Sequence, residues 1–162
     1  MNTPENTADP LSGKYLMFTV NQIQYAINLL KVKEIVGKKT ATPLPESPNY
    51  VKGIVTLRGI PMPVIDLKVR LGLPETEDLE DSPIIVLQKV ANQGASLIGL
   101  LVDKVSDVNM LTPEEIEDIG MAGTHLKQNY ILGVSKAEGK EAIILEIDTL
   151  LSAEDITLPK GL

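Results

Sequence analysis

Apolar residues in this chain come in short runs, separated by polar or turn-forming residues. From Tyr15 to Val20 and from Gln24 to Leu29 the runs are rich in β-favouring residues and flank Asn21-Gln22, the pattern of a hairpin. Comparable runs recur at Gly53–Leu57, Met62–Leu67, Ile84–Val90, Leu97–Val102, Tyr130–Val134 and Ala142–Ile147. Many short strands with turns between them predict an all-β barrel or sandwich. Helical signals are few and brief. Asp66 is placed to cap a turn in DLKVRLG that Gly72 would end, Asp148 similarly opens DTLLS, and Thr112-Pro113-Glu114-Glu115 combines a threonine cap with a first-turn proline and early acids. Residues 1–13 are polar, contain Pro4 and Pro10 and show no hydrophobic period, which predicts a flexible tail.

The two halves repeat each other. Lys31-Val32-Lys33-Glu34-Ile35 is matched 73 residues later by Lys104-Val105-Ser106-Asp107-Val108. Gly53, Gly59 and Val64-Ile65-Asp66-Leu67 are echoed by Gly133, Gly139 and Ile144-Leu145-Glu146-Ile147 at an offset of 80. Two patterns recurring in the same order predict two related β-modules, placed at 14–74 and 82–151 and joined by an acidic connection, 75–81, that follows Pro74. A module of about 65 to 70 residues buries too little surface to be stable alone, so the junction between them should be extensive. A groove between two packed modules is also a common place for a binding site.

Composition narrows the chemistry. With no cysteine there is no disulfide, thiol nucleophile or zinc–thiolate site, and the single histidine, His125, cannot form a histidine cluster. A net charge of -7, with Arg58 and Arg70 the only arginines, argues against binding a phosphate backbone. The aromatic set, Tyr15, Phe18, Tyr25, Tyr50 and Tyr130, is too small to stack single-stranded bases. Neither phosphate-binding glycine pattern occurs. No run of eighteen apolar residues is present, and the first thirteen residues lack the basic and apolar blocks of an export signal, so a cytoplasmic protein is expected. Asp66 with Asp148, or Asp103 with Asp107, could be imagined as catalytic carboxylate pairs, but helix-start and strand-end positions account for them as caps and turn formers.

The most distinctive stretch is VKGIVTLRGIPMPVIDL, Val51 to Leu67, which reads as a hairpin with a sharply shaped tip. Arg58 stands at that tip among apolar neighbours, where a guanidinium can direct several hydrogen bonds. Glu34, between Lys33 and Ile35, is its natural partner if the two segments adjoin, and an ion pair between them is predicted.

Together with YAINLLKVKEIV upstream, IGLLVDKVSDV downstream and the ending YILGVSKAEGKEAIILEIDTLL, this hairpin resembles the CheW family of chemotaxis adaptors, from Tyr15 to about Leu151. The resemblance implies two tandem five-stranded SH3-like barrels packed side by side, with a few short helices and no catalytic centre or cofactor. It implies two partners: the regulatory C-terminal domain of the histidine kinase CheA and the cytoplasmic tip of a chemoreceptor, at membrane-associated arrays. Carried over by position, the receptor surface would comprise Val32, Glu34, Ile35, Gly53, Arg58, Gly59 and Ile84, with a helical receptor tip packing on Val32, Ile35 and Ile84. The kinase surface would comprise Val36, Gly37, Thr40 and Ala41, with Pro43 and Leu44 beside them. Thr56 stands where the family commonly has asparagine, and Glu117–Gln128 matches poorly, so no contact is assigned there. No receiver domain follows Leu162, which disfavours the related receiver-fused CheV. A different protein-binding barrel would bind neither partner, and an enzyme would need a pocket of converging polar groups.

Overall fold

The computed structural model describes residues 13–73, 81–91, 94–117, 131–136 and 141–151. A hairpin of β1 (Gly13–Val20) and β2 (Ile23–Asn28) is followed by β3 (Val32–Val36), β4 (Val51–Leu57), β5 (Ile60–Asp66) and a one-turn helix α1 (Leu67–Arg70). A second hairpin, β6 (Ile84–Ala91) and β7 (Gly94–Leu101), leads into β8 (Lys104–Leu111), β9 (Ile116–Glu117), β10 (Ile131–Ser135), β11 (Ala142–Leu145) and helix α2 (Ile147–Leu150). Local signals explain the ends of α1: the Asp66 carboxylate accepts from the Lys68 N–H at 3.1 Å, and Gly72, with φ of 73°, stops the helix. The equivalent cap of α2 is Glu146, which accepts from the Asp148 N–H at 3.2 Å. Asp148, expected to open that helix, instead lies inside it and pairs with Lys31 at 2.9 Å.

The strands form two sheets in the orders β3-β6-β7-β5-β4 and β8-β1-β2-β11-β10-β9. The orders superimpose: β3 corresponds to β8, the β6–β7 hairpin to β1–β2, and the β5–β4 hairpin to β11–β10. In each sheet one pair is parallel, Val64 beside Gly99 in the first and Ile144 beside Ala26 in the second. The bulges recur as well, between Val51 and Gly53 and between Ile131 and Gly133. The sequence repeats therefore mark structural repeats. The boundaries 14–74 and 82–151, however, do not follow sheet membership. The N-terminal hairpin completes the sheet of the C-terminal strands, and β6–β7, from beyond the acidic connection, completes the sheet of β3–β5. Within YAINLLKVKEIV the chain changes sheets. Asn28 accepts from the Leu30 N–H at 2.9 Å, capping a 3-10 turn at Leu29–Lys31 where the chain leaves one sheet for the other.

Alternation along the strands builds three cores. In the first barrel Val55, Leu57, Met62, Val64, Ile84, Val86 and Leu101 pack inside, and in the second Tyr15, Met17, Ala26, Leu111, Ile116, Ala142 and Ile144 do so. The residues between them, including Leu16, Phe18, Tyr25, Ile27, Ile85, Leu87, Ile98 and Leu100, meet in the largest cluster, which joins the barrels. Residues 15–18 of β1 and 84–87 of β6 are thus buried on both faces, which is why these stretches are continuously apolar.

Each barrel is closed by a short segment passing over a glycine. Thr42 exchanges two backbone hydrogen bonds of 2.8 Å with Ile54, and Glu117 of β9 pairs with Val134. A Cβ at Gly53, whose φ is 144°, would lie 2.2 Å from the Thr42 carbonyl oxygen, and one at Gly133 would lie 2.7 Å from that of Glu117. Gly53→Ala is expected to cost roughly 3 kcal/mol or more, because the clash is with backbone and the conformation is closed to L side chains. Urea denaturation checks this; a loss below about 1 kcal/mol would mean that the closing segment is not fixed where it is placed.

Candidate functional site

Strands β3 and β4 are opposite edges of the first sheet, yet Glu34 of β3 hydrogen-bonds through its carboxylate to the Arg58 guanidinium at the tip of β4–β5. Edge reaches edge because the sheet curls into a barrel. The predicted pair is formed, with the Glu34 side chain 27% exposed and that of Arg58 62%. At such exposure an ion pair contributes about 0–1 kcal/mol, so it is a weak source of stability and a good source of orientation.

Backbone geometry at the tip points the same way. The turn has only two residues, Arg58 and Gly59, with φ of 50° and 81°. Two positive φ values define a type I′ hairpin turn, where asparagine, aspartate or glycine is the usual first residue. An arginine there costs about 1–2 kcal/mol of backbone strain, more than its ion pair returns. Asn21 and Gln22 make a similar turn between β1 and β2, but at Arg58 the strained residue also forms an ion pair with a side chain from another strand, which makes it the candidate for a functional role.

Around this pair the carried-over residues divide. Ile35 is 42% exposed, Gly59 is exposed, and Val32 is half-buried against the inter-barrel core. Gly53 is buried beneath Thr42. Ile84 is 1% exposed, inside the first barrel on the covered part of β6, so it cannot present a surface to a partner as expected; on the β3–β6 ladder it stands beside Val36, while Val86 and Ile85 stand beside Glu34 and Ile35. Sequence reading passed over Ile60, 51% exposed and directly after the turn, and Leu30, 93% exposed on the 3-10 turn between the sheets. An apolar residue next to a tight turn was the available signal.

Val36, Gly37, Thr40, Ala41, Pro43 and Leu44 lie on the segment running from the end of β3 to the closure at Thr42 and on past it. Gly37, Thr40 and Pro43 are exposed, Val36 and Ala41 pack half-buried on the first-barrel core, and the Leu44 carbonyl accepts from the Ser47 hydroxyl at 2.7 Å. They form a continuous ridge leading away from Glu34.

In each imagined carboxylate pair at least one member has structural employment. Asp66 caps α1 and sits 3.8 Å from Lys52, Asp148 holds Lys31, and Asp103 accepts from the Asn21 N–H at 2.8 Å, tying the N-terminal hairpin to the entry of β8. Burial pushes the Tyr25 phenol up to about 12, and the Glu117 carboxylate beside Lys136 raises that ammonium above its ordinary value. His125 and most of Glu117–Gln128 lie outside the described residues. Among the described residues no helix is long and apolar enough to cross a membrane, and no cluster of potential metal ligands occurs.

Two related barrels fused through a large apolar junction, with a strained arginine clamp on one of them, define a protein-docking module. Comparison with known proteins makes the class specific. The CheW-like domain family model matches residues 14–155. The chain is 34% identical over 150 residues to the chemotaxis protein CheW of Klebsiella aerogenes, spanning 93% of this chain and 88% of that one. It is 31% identical over 140 residues to CheW of Rhizobium meliloti, spanning 86% and 88%. The crystal structure of the scaffolding protein TtCheW from Thermoanaerobacter tengcongensis superimposes with a TM-score of 0.79 at 28% identity, covering 91% of this chain and 97% of that one. The chain belongs to the CheW-like family, a family of non-catalytic scaffolds in chemotaxis signalling.

Proposed function

We propose that the protein couples chemoreceptors to the histidine kinase CheA in the cytoplasm, at membrane-associated receptor arrays, so that receptor state controls kinase autophosphorylation. A helical receptor tip docks where Glu34 and Arg58 meet, its apolar residues lying on Ile35, Val32 and Ile60 while the guanidinium fixes register. The kinase regulatory domain docks on the ridge from Val36 to Leu44. The observation that carries this reading is the Glu34–Arg58 contact, formed at a turn whose arginine is unfavourable for folding.

The experiment combines purified chain, kinase and receptor and measures kinase phosphorylation. Arg58→Ala is expected to abolish the receptor's influence while leaving the kinase regulatory domain bound. Arg58→Asn sharpens the test: asparagine suits the turn, so stability is expected to rise by about 0.5–1 kcal/mol while coupling is lost, the trade expected of a residue kept for binding. Unchanged coupling in both variants would overturn the docking site, and failure of the wild-type chain to bind either partner would overturn the function.

A further inference from the structure

Arg70 ends helix α1 and meets the last residue of α2: its Nε–H donates to the Leu150 carbonyl at 2.8 Å. The two residues are 80 positions apart, the interval that relates Gly53 and Asp66 to Gly133 and Glu146. They are counterparts in the two repeats, and they meet where the repeats abut. At this meeting point the symmetry is broken, because one repeat supplies an arginine and the other a leucine.

The guanidinium has a second contact. Its central carbon lies 4.8 Å from the centre of the Tyr50 ring. Tyr50 is 8% exposed and closes the segment that begins at Gly37: its carbonyl accepts from the Asp66 N–H at 2.7 Å, and the next residue, Val51, donates to the Pro48 carbonyl at 3.0 Å. A guanidinium suits this double task, donating from its edge while stacking with its face, which neither lysine nor leucine does. Leu150 is fully buried in the junction, so its carbonyl is a fixed point on the second barrel.

We propose that Arg70 is a positioning residue, pinning the base of the 37–50 segment in the first repeat to the second barrel and so holding that segment in the shape that docks a protein partner. The proposal rests on the reading of that ridge as the kinase-facing surface. It gives the duplication a physical asymmetry. Leucine stands where the second repeat would need the clamp, so the two barrels present different surfaces despite a shared topology.

Arg70→Leu, which installs the residue of the other repeat, tests this in the full chain. Amide hydrogen exchange at Thr42, Val51 and Asp66 is expected to accelerate about fivefold, and affinity for the kinase regulatory domain to fall about fivefold, while affinity for a receptor-tip fragment stays as in wild type. Tyr50→Leu removes the stack from the other side and is expected to give the same exchange pattern, with no further change in the double variant. Exchange at the three amides unchanged in both variants would overturn the clamp, as would an equal loss of affinity for both partners. If wild-type chain fails to bind the kinase domain while exchange responds as expected, the reading of the ridge fails and the clamp's docking role fails with it.

Discussion

Phe18→Ala is expected to lower stability by about 3–5 kcal/mol and to loosen both barrels in a single transition. Phe18 is fully buried on β1 and faces the junction, stacked on Tyr25 with ring centres 5.9 Å apart and planes at 23°. Its strand is covalently N-terminal, belongs by hydrogen bonding to the second barrel, and packs its alternate side chains, Leu16, Phe18 and Val20, into the junction with the first. Removing the ring leaves a cavity shared by both units. For a domain whose net stability is on the order of 5–15 kcal/mol, the loss brings unfolding close to ordinary temperatures. Urea unfolding followed by circular dichroism gives the magnitude, and amide exchange on β4 tells whether the first barrel shares the loss. A biphasic curve, with β4 as protected as in wild type, would show instead that the barrels are independent and the junction is a mere contact.

The interlocking that makes this prediction sharp is the part of the fold that sequence conveys least. Turn chemistry is local, so the two-residue tip at Arg58-Gly59 and the caps at Asp66 and Thr112 were readable; the Thr112 N–H does donate to the Glu115 carboxylate at 2.9 Å. Which hairpin completes which sheet is a long-range choice, settled by the packing of Leu16 and Phe18 against Ile85 and Leu87, and no residue pattern near β1 records it. Edge strands were also faint. β3 and β8 have one covered side and carry Lys33, Glu34, Ser106 and Asp107, so neither shows an apolar run, and both surfaced only through their similarity to one another.

Two misreadings had a usable signal. The offset of 80 that aligns Asp66 with Glu146 already marks the cap of α2, although Asp148 is the more familiar type of capping residue. The unbroken apolar run at Ile84–Leu87 is the mark of a strand covered on both faces, which excludes Ile84 from any outer surface. By contrast the Glu34–Arg58 pair was legible because two weak signals coincided: an acid in an apolar and basic strand, and an arginine at a hairpin tip among apolar neighbours.

Reversing the charge at that pair is expected to produce the largest functional effect. Arg58→Glu sets two carboxylates where a pair now stands, and affinity for a receptor-tip fragment is expected to fall about 30- to 300-fold, roughly 2–3.5 kcal/mol, if the partner covers the site and desolvates it. Stability should change by less than about 1 kcal/mol, since the pair is exposed in the free protein and contributes little there. The exchanged variant Glu34→Arg with Arg58→Glu separates the two roles. It restores an attractive pair between β3 and the tip, but it puts the carboxylate on the outer, strained turn and the guanidinium on the strand. If the pair serves only to brace the barrel edges, the exchange recovers full binding. If Arg58 itself reads the partner, stability returns while binding stays at least tenfold weak, because the donor fork now points from the wrong edge of the sheet. Calorimetric titration of the wild-type, single and exchanged chains against the same fragment distinguishes these outcomes, and full recovery in the exchanged chain would remove Arg58 from the docking surface.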